Sequence, residues 1–326
     1  MKKYIHELKI KRCDNNIIQK LEDIINSVDG TYYIRQSIDG SFRFPYLLYV
    51  PRKIKKNKLI LHGNNLAYEE GNCLNVGAAV METTINAGYP LTDLCMPILV
   101  PITSNYIHPA DNNGREFFPM QASRNVIFCK DKGNTYYHLF DQINAMIDDA
   151  KKYIYEKKNI ALQEKVIAHG FSSSAKFVLR YATCYPSKVS LLIAGGFGAQ
   201  CFIPLKTLPK CGKEIPLPYP IGVYDMKEIT GKEFDNTSFM KMKQFYFMGE
   251  LEDNSNDTAF NNRHTDVVIQ NLYRKIFGED IHTRLNFEKQ LLKDMGYHNI
   301  EIKVYPDFGH SATPAIKKTT QLIEEC

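Results

Sequence analysis

The feature that most constrains the fold of this chain is a series of short apolar runs that alternate with longer stretches of helical periodicity. The runs lie at residues 59–63, 95–102, 165–170, 190–196, 245–249 and 302–306. Each is almost continuously apolar, which is typical of parallel strands buried on both faces. Parallel neighbours need long crossover connections, and helices usually supply them. The pattern therefore predicts an α/β fold built on a mostly parallel, doubly wound sheet.

Helices are predicted between and around these strands, where apolar residues recur at helical spacing. The predicted helices cover residues 14–28, 74–87, 137–158, 173–184, 264–277, 281–295 and 314–324. Two β-type runs, 31–38 and 41–51, precede the apolar series and are separated by Asp39-Gly40. Because Asp-Gly is a strong hairpin-turn signal, these runs predict an antiparallel hairpin that leads into the parallel sheet.

The domain organisation follows from the length and from one interruption of the strand–helix alternation. A single α/β domain with insertions accounts for most of the 326 residues, and we assign it to residues 31–326, preceded by a helical extension at 1–30. Residues 199–240 contain five prolines and do not fit the alternation. Long irregular segments in compact domains are usually functional. We therefore expect 199–240 to be a lid; the alternative is a surface excursion without a role.

Composition narrows the possible functions. A content of 44% hydrophobic and 24% charged residues is typical of a globular protein and excludes a disordered or fibrous one. The net charge of +5 comes without a basic stripe interleaved with aromatics, so no nucleic-acid partner is expected. No run approaches 18 apolar residues, so no membrane span is expected either. The histidines and cysteines show no metal-ligand spacing, and we expect neither a metal nor a cofactor.

The eight cysteines indicate a compartment. They are scattered along the chain without a Cys-x-x-Cys pair, and several, such as Cys95 and Cys184, lie inside apolar patterns. Free thiols of this kind suit a reducing environment. The first residues are basic but no apolar stretch follows them, so no secretion signal is predicted. We expect a cytoplasmic protein.

The segment that carries most chemical information is KVIAHGFSSSAKFVLRYA at 165–182, where a buried strand runs through a small-residue turn into an amphipathic helix. A serine at such a turn projects its hydroxyl above the sheet, next to the backbone N–H groups of the helix N-terminus. The turn requires small side chains two residues before and two residues after the serine. Only Ser172 satisfies this, with Gly170 and Ser174; Ser173 and Ser174 would place Phe171 and Lys176 at these positions.

The residues GFSSSA resemble the nucleophile elbow of the α/β-hydrolase superfamily, with Ser174 in place of the usual final glycine. The resemblance implies an α/β-hydrolase fold and a nucleophilic Ser172. The alternative is a glycine–serine helix cap without chemistry.

The superfamily's order of nucleophile, acid and histidine is available in this chain. His310 follows the last predicted strand in VYPDFGHSATPAI and resembles the late catalytic histidine. The acid should follow the strand at 245–249, and our order of preference is Asp253, then Asp257, then Glu252. Its role is to accept a hydrogen bond from the ring of His310, which fixes the tautomer of the histidine and stabilises the imidazolium.

A second loop resembles the oxyanion loop of lipases and esterases. The strand LILHG continues into Asn64, and the resemblance implies that the backbone N–H groups of Asn64 and Ser173 form the oxyanion hole. His62 is expected to support this loop, and His169 is expected to be a packed core residue. An ordinary strand-terminal turn is the alternative.

Together these residues predict a serine hydrolase that cleaves a small or medium ester through an acyl-enzyme. The chain is similar to bacterial esterases and to polyhydroxybutyrate-depolymerase-like hydrolases. A peptidase, a thioesterase or an acyltransferase with the same triad is one alternative. A catalytically silent binding protein with the same fold is the other, since fold does not determine function.

Overall fold

The computed structural model describes residues 15–65, 74–84, 90–104, 106–107, 116–117, 119–253 and 267–326. Its largest sheet has eight strands. These are β1 (Gly30–Arg35), β2 (Tyr46–Pro51), β3 (Ile60–His62), β4 (Ile98–Pro101), β5 (Val166–Phe171), β6 (Val189–Gly195), β7 (Lys243–Gly249) and β8 (Ile300–Tyr305). Each predicted apolar run overlaps one of the strands β3 to β8.

The strands are arranged in the order β1-β2-β4-β3-β5-β6-β7-β8. β2 pairs antiparallel with both β1 and β4, whereas every pair from β4 to β8 is parallel. The predicted α/β architecture, with an antiparallel start and a parallel remainder, is confirmed. Because parallel strands leave their carboxyl ends at one edge, the loops after β3, β5, β6, β7 and β8 meet there.

The β1–β2 hairpin is confirmed, but its predicted tight turn is wrong. The side chain of Asp39 does accept hydrogen bonds from the Ser41 amide and the Ser37 hydroxyl, as expected of a local turn. However, the paired strands end at Arg35 and resume only at Tyr46. The intervening chain leaves the sheet because it buries the rings of Phe42 and Phe44 in the core, which outweighs the local turn signal.

The predicted helices are also present. The α-helices of the described residues are α1 (Asn15–Ser27), α2 (Leu74–Thr84), α3 (Arg124–Ile127), α4 (Leu139–Lys158), α5 (Ser173–Cys184), α6 (Met226–Thr230), α7 (Asn236–Lys241), α8 (Val267–Phe277), α9 (Ile281–Asp294) and α10 (Ile316–Glu325). The short helices α3, α6 and α7 were not predicted. Among the described residues, no helix combines the length and apolar character that crossing a membrane requires.

The core lies on both faces of the sheet. Alternation along each strand sends Leu61 and Ala168 to the face covered by α4 and α5. Their neighbours Ile60 and Ile167 point to the opposite face, where α2 and α10 pack. Both faces of the parallel region are buried away from water, and this explains why its strands are almost continuously apolar.

The segment 199–240 is tightly packed against the domain. It contains a small antiparallel hairpin, Thr207–Lys210 with Lys213–Pro216, followed by α6 and α7. The ring of Tyr219 is fully buried, and its hydroxyl donates to the backbone oxygen of Arg180 in α5. Arg124 of α3 binds the same segment through the oxygen of Tyr219 and the carboxylate of Asp225. A lid role for this segment stays a prediction.

Candidate active site

The turn between β5 and α5 is tight, as the sequence predicts, and its backbone is strained. Ser172 has a φ of 62° and a ψ of −126°, a backbone conformation that side chains other than glycine rarely adopt. Neither Ser173 nor Ser174 has a positive φ, since both begin α5. A Cβ at position 170 would overlap the backbone of Ser174, so Gly170 is required. Ser172 therefore lies at the apex of the turn, and its role as the nucleophile stays a prediction.

Ser174 shows why serine can replace the usual glycine at this position. Its hydroxyl donates to the backbone oxygen of Phe171 at 2.7 Å and accepts from the Phe171 amide at 2.8 Å. The side chain therefore closes the turn with its own hydrogen bonds. The Ser174 side chain fits because the facing residue in the loop after β3 is a glycine. A Cβ at position 63 would lie only 2.7 Å from the Cβ of Ser174.

His310 lies beside this turn. Its ring packs on that of Phe171, the residue before Ser172, with 4.7 Å between the ring centroids. A Cβ at Gly196 would lie 2.6 Å from Cε1 of His310, and the Ser172 amide donates to the oxygen of the adjacent Gly195 at 2.8 Å. The loops after β5, β6 and β8 thus converge on one point. Among the described residues, neither the Ser172 hydroxyl nor Nε2 of His310 takes part in a hydrogen bond.

The carboxylate next to His310 is that of Glu252. Its Oε2 lies 2.9 Å from Nδ1 of His310, and its Oε1 accepts from the Gly249 amide at 3.0 Å. The side chain of Glu252 is 2% exposed, against 29% for that of His310. With this carboxylate as acceptor, Nδ1 carries the ring proton and Nε2 is the basic nitrogen.

This contact corrects the preference for Asp253, because the acid that ranked third occupies the position expected for the first. The chain turns tightly after β7, with the Glu252 amide bonded to the oxygen of Gly249. That turn directs Glu252 under His310 and leaves Leu251 65% exposed. Asp257 lies outside the described residues.

The loop after β3 rests on the first turn of α5. Gly63 contacts Ser174, and Oδ1 of Asn65 accepts from the Ser174 amide at 2.9 Å. Asn64 lies between these two contacts and is buried. The loop thus runs alongside Ser173, whose backbone N–H is the other predicted oxyanion donor.

No protein-family model matches the sequence, and no curated protein matches it either. Solved structures do match. Poly(aspartic acid) hydrolase-1 from Sphingomonas sp. KT-1 superposes with a TM-score of 0.53 at 15% identity, covering 91% of this chain and 99% of that one. LpqC, a poly(3-hydroxybutyrate) depolymerase from Bordetella parapertussis, superposes with a TM-score of 0.51 at 14% identity, covering 96% of each chain.

The chain has the α/β-hydrolase fold. Identities this low show the fold alone, so the chemistry has to be argued from the residues of this chain. The α/β-hydrolase sheet brings four sequence-predicted residues to one edge: Ser172 and Ser173 after β5, His310 after β8, and Asn64 after β3. Glu252 after β7 joins them in place of Asp253.

Beneath this edge of the α/β-hydrolase sheet lies a buried polar network that sequence reasoning missed in part. Nδ1 of His62 lies 3.0 Å from Nδ1 of His169, and Nε2 of His62 lies 3.0 Å from Oε2 of Glu82. Burial lowers the pKa of His169 well below its ordinary value, so this ring is neutral. Both histidines were expected to be structural. Glu82 was not predicted, although a carboxylate on the same helical face as Asn75 and Ala79 was a readable signal.

Gln121 is a further neighbour of the turn between β5 and α5. Its Nε2 donates to the Ser173 hydroxyl at 3.2 Å, and its backbone oxygen accepts from Arg180 of α5 at 2.8 Å. No group of three or more His, Cys, Asp or Glu side chains within the described part of the chain is arranged to hold a metal ion.

Proposed function

We propose that this protein is a serine hydrolase that cleaves a carboxylic ester by two-step acyl transfer. The observation that carries the proposal is the strained Ser172 at the N-terminus of α5, next to a histidine whose far nitrogen is held by a buried carboxylate. Backbone strain of this kind persists where surrounding structure enforces it, and it concentrates at functional sites.

The first step is the attack of the Ser172 hydroxyl on the ester carbonyl. Nε2 of His310 takes the hydroxyl proton, and Glu252 stabilises the resulting imidazolium through Nδ1. As the tetrahedral intermediate collapses, the carbon–oxygen bond to the alcohol breaks and His310 returns the proton to the departing alcohol. The acyl group is left on Ser172.

In the second step His310 takes a proton from a water molecule, which attacks the acyl carbonyl carbon. The bond from this carbon to Oγ of Ser172 then breaks, His310 returns the proton to Oγ, and the carboxylic acid is released. In both steps the carbonyl oxygen becomes negative, and we propose that the N–H groups of Asn64 and Ser173 hold it. Each such donor stabilises the transition state by about 3 kcal/mol in comparable enzymes. The contact of the β3 loop with the first turn of α5 supports this pairing.

The proposed substrate is a small or medium ester. Enzymes that act at lipid surfaces use an exposed amphipathic lid that carries tryptophan. This chain has no tryptophan. The segment 199–240 instead carries charged groups, and two of its lysines, Lys206 and Lys227, pair with Glu233 at its surface. The two structures reported above are named for the hydrolysis of two different polymers. The similarity of this chain to them therefore does not indicate which bond it cleaves or how long its acyl chain is.

Pre-steady-state hydrolysis of nitrophenyl esters tests the proposal. With nitrophenol as a good leaving group, acylation should be faster than deacylation. We therefore expect a burst of nitrophenol close to the enzyme concentration, and no burst from Ser172→Ala. We also expect activity to peak between acetate and hexanoate. The absence of any turnover by the wild type would favour the silent binding protein. A maximum at dodecanoate, or faster cleavage of matched anilides or thioesters, would replace the substrate class.

A further inference from the structure

Glu82 is a buried carboxylate that three contacts join to the end of β3 and the loop after it. Its Oε1 accepts from the Asn65 amide at 3.2 Å, and its Oε2 accepts from Nδ2 of Asn65 at 3.0 Å. Oε2 also lies 3.0 Å from Nε2 of His62, the last residue of β3. Neither the Glu82 nor the His62 side chain is exposed to solvent. Burying a carboxylate costs several kcal/mol unless donors compensate, and here they do.

Asn65, which Glu82 binds, also forms a hydrogen bond with α5. While its amide and Nδ2 donate to Glu82, its Oδ1 accepts from the Ser174 amide at 2.9 Å. One asparagine therefore joins the β3 loop to the first turn of α5. The same bond occupies the N–H of Ser174, which leaves the preceding N–H, that of Ser173, to face an oxyanion.

His62 and His169 join the two strands that lead into these segments, β3 and β5. His62 and His169 are partners in the parallel pairing of β3 with β5. Their Nδ1 atoms are 3.0 Å apart and their rings stack with 5.1 Å between centroids. A single proton lies between these two nitrogens, since neutral His169 offers either a donor or an acceptor there, but not both.

We propose that Glu82 is a positioning residue that holds both halves of the oxyanion hole in register. This role rests on the proposed function. Glu82 binds Asn65, which follows Asn64, and Asn65 binds the amide of Ser174, which follows Ser173. One carboxylate therefore places the N–H groups of both Asn64 and Ser173. Oxyanion donors must lie within a few tenths of an ångström of their working positions to stabilise the transition state fully. A loosened loop therefore affects the chemical step more than substrate binding.

The test compares kcat and KM of variants on a nitrophenyl ester. In Glu82→Gln the new amide group confronts the donors of His62 and Asn65, so we expect kcat to fall about 100-fold with KM within about threefold of the wild type. The matched control is Thr83→Val, on the same helix, which removes the buried 2.6 Å hydrogen bond between Thr83 and Tyr32. It should lower the melting temperature while leaving kcat within about twofold.

A rescue experiment separates positioning from stability. Asn65→Asp places two carboxylates face to face and should reduce kcat at least as strongly as Glu82→Gln. The double variant Asn65→Asp with Glu82→Gln restores complementarity, because the amide introduced at position 82 then donates to the carboxylate introduced at position 65. Recovery of kcat by about tenfold over the Asn65→Asp single variant is expected. The double variant also serves if either single variant fails to fold.

The outcomes distinguish the inference from the function on which it rests. A wild type that neither turns over the ester nor forms a covalent acyl group on Ser172 would overturn both. A wild type with a burst, combined with a Glu82→Gln variant that matches Thr83→Val in kcat, would overturn the positioning role alone. So would a loss of activity expressed wholly in KM, or a double variant no better than its worse parent.

Discussion

Two buried carboxylates, that of Glu82 on α2 and that of Glu288 on α9, lie in very different surroundings within one protein. The oxygens of Glu82 meet donors from both His62 and Asn65. Glu288 is equally buried, but only its Oε2 has a partner among the described residues, the Cys201 amide at 3.1 Å. Burial raises the pKa of Glu288 to about 8.

The contrast is sharper because an arginine lies near Glu288. Arg284 is one helical turn earlier on α9, yet its guanidinium donates to backbone oxygens. The acceptors are those of Gly198 and Ala199 and, just before α9, those of Gly278 and Glu279. Its donors are used to hold the chain that leaves β6, and its charge only partly offsets the desolvation of Glu288. Specific donors, rather than a nearby opposite charge, distinguish the two sites.

Glu252 extends the comparison to the proposed triad and gives the largest expected effect. In Glu252→Gln an amide N–H₂ can face Nδ1 of His310, which favours the tautomer with its proton on Nε2 and blocks its role as a base. We expect kcat to fall about 10³- to 10⁴-fold. Asp253→Asn is the neighbouring control and should change kcat less than about threefold. If Asp253→Asn were the crippling variant, the contact seen at Glu252 would not be the functional one.

Glu288 should affect stability instead. Because its folded pKa of about 8 lies above the ordinary 4.5, the folded state holds a proton that the unfolded state has lost between these values. The free energy of unfolding should therefore fall as pH rises from 4.5 to 8, by about 1 kcal/mol per pH unit from this group, and then level off.

Urea unfolding of the wild type and of Glu288→Gln between pH 4 and 9 checks this. The variant cannot titrate, so its stability relative to the wild type should increase through this range and reach its largest advantage above pH 8. Two parallel pH profiles would show that Glu288 is ionised in the folded protein.

The sequence predicted the elements of this fold well because buried parallel strands and amphipathic helices have strong periodic signals. It also located Ser172, because the turn imposes size limits on its neighbours that can be read directly. The candidate acid Glu252 was ranked only third because it shares one loop with Asp253. Which of the two side chains points inward depends on the Gly249–Glu252 turn and not on residue type.

Long-range pairing explains the remaining misses. The contact between Asn65 and Ser174 joins residues far apart in sequence, and only the crossing of β3 with α5 brings them together. Glu82 and Glu288 were readable only as charges on helical faces that pack inward, which does not reveal their partners. The β1–β2 connection was misjudged because burial of Phe42 and Phe44 overrides the Asp-Gly signal.

The most direct test of the central claim is the site of covalent labelling by a fluorophosphonate. Trypsin should release residues 166–176 as one peptide, which contains all three candidate serines, so fragmentation within this peptide is needed to place the adduct. We predict a single phosphonyl group on Ser172 of the wild type and none on Ser172→Ala. An adduct on Ser173 or Ser174, or an unmodified peptide under conditions that label a control serine esterase, would contradict the assignment of Ser172 as the nucleophile.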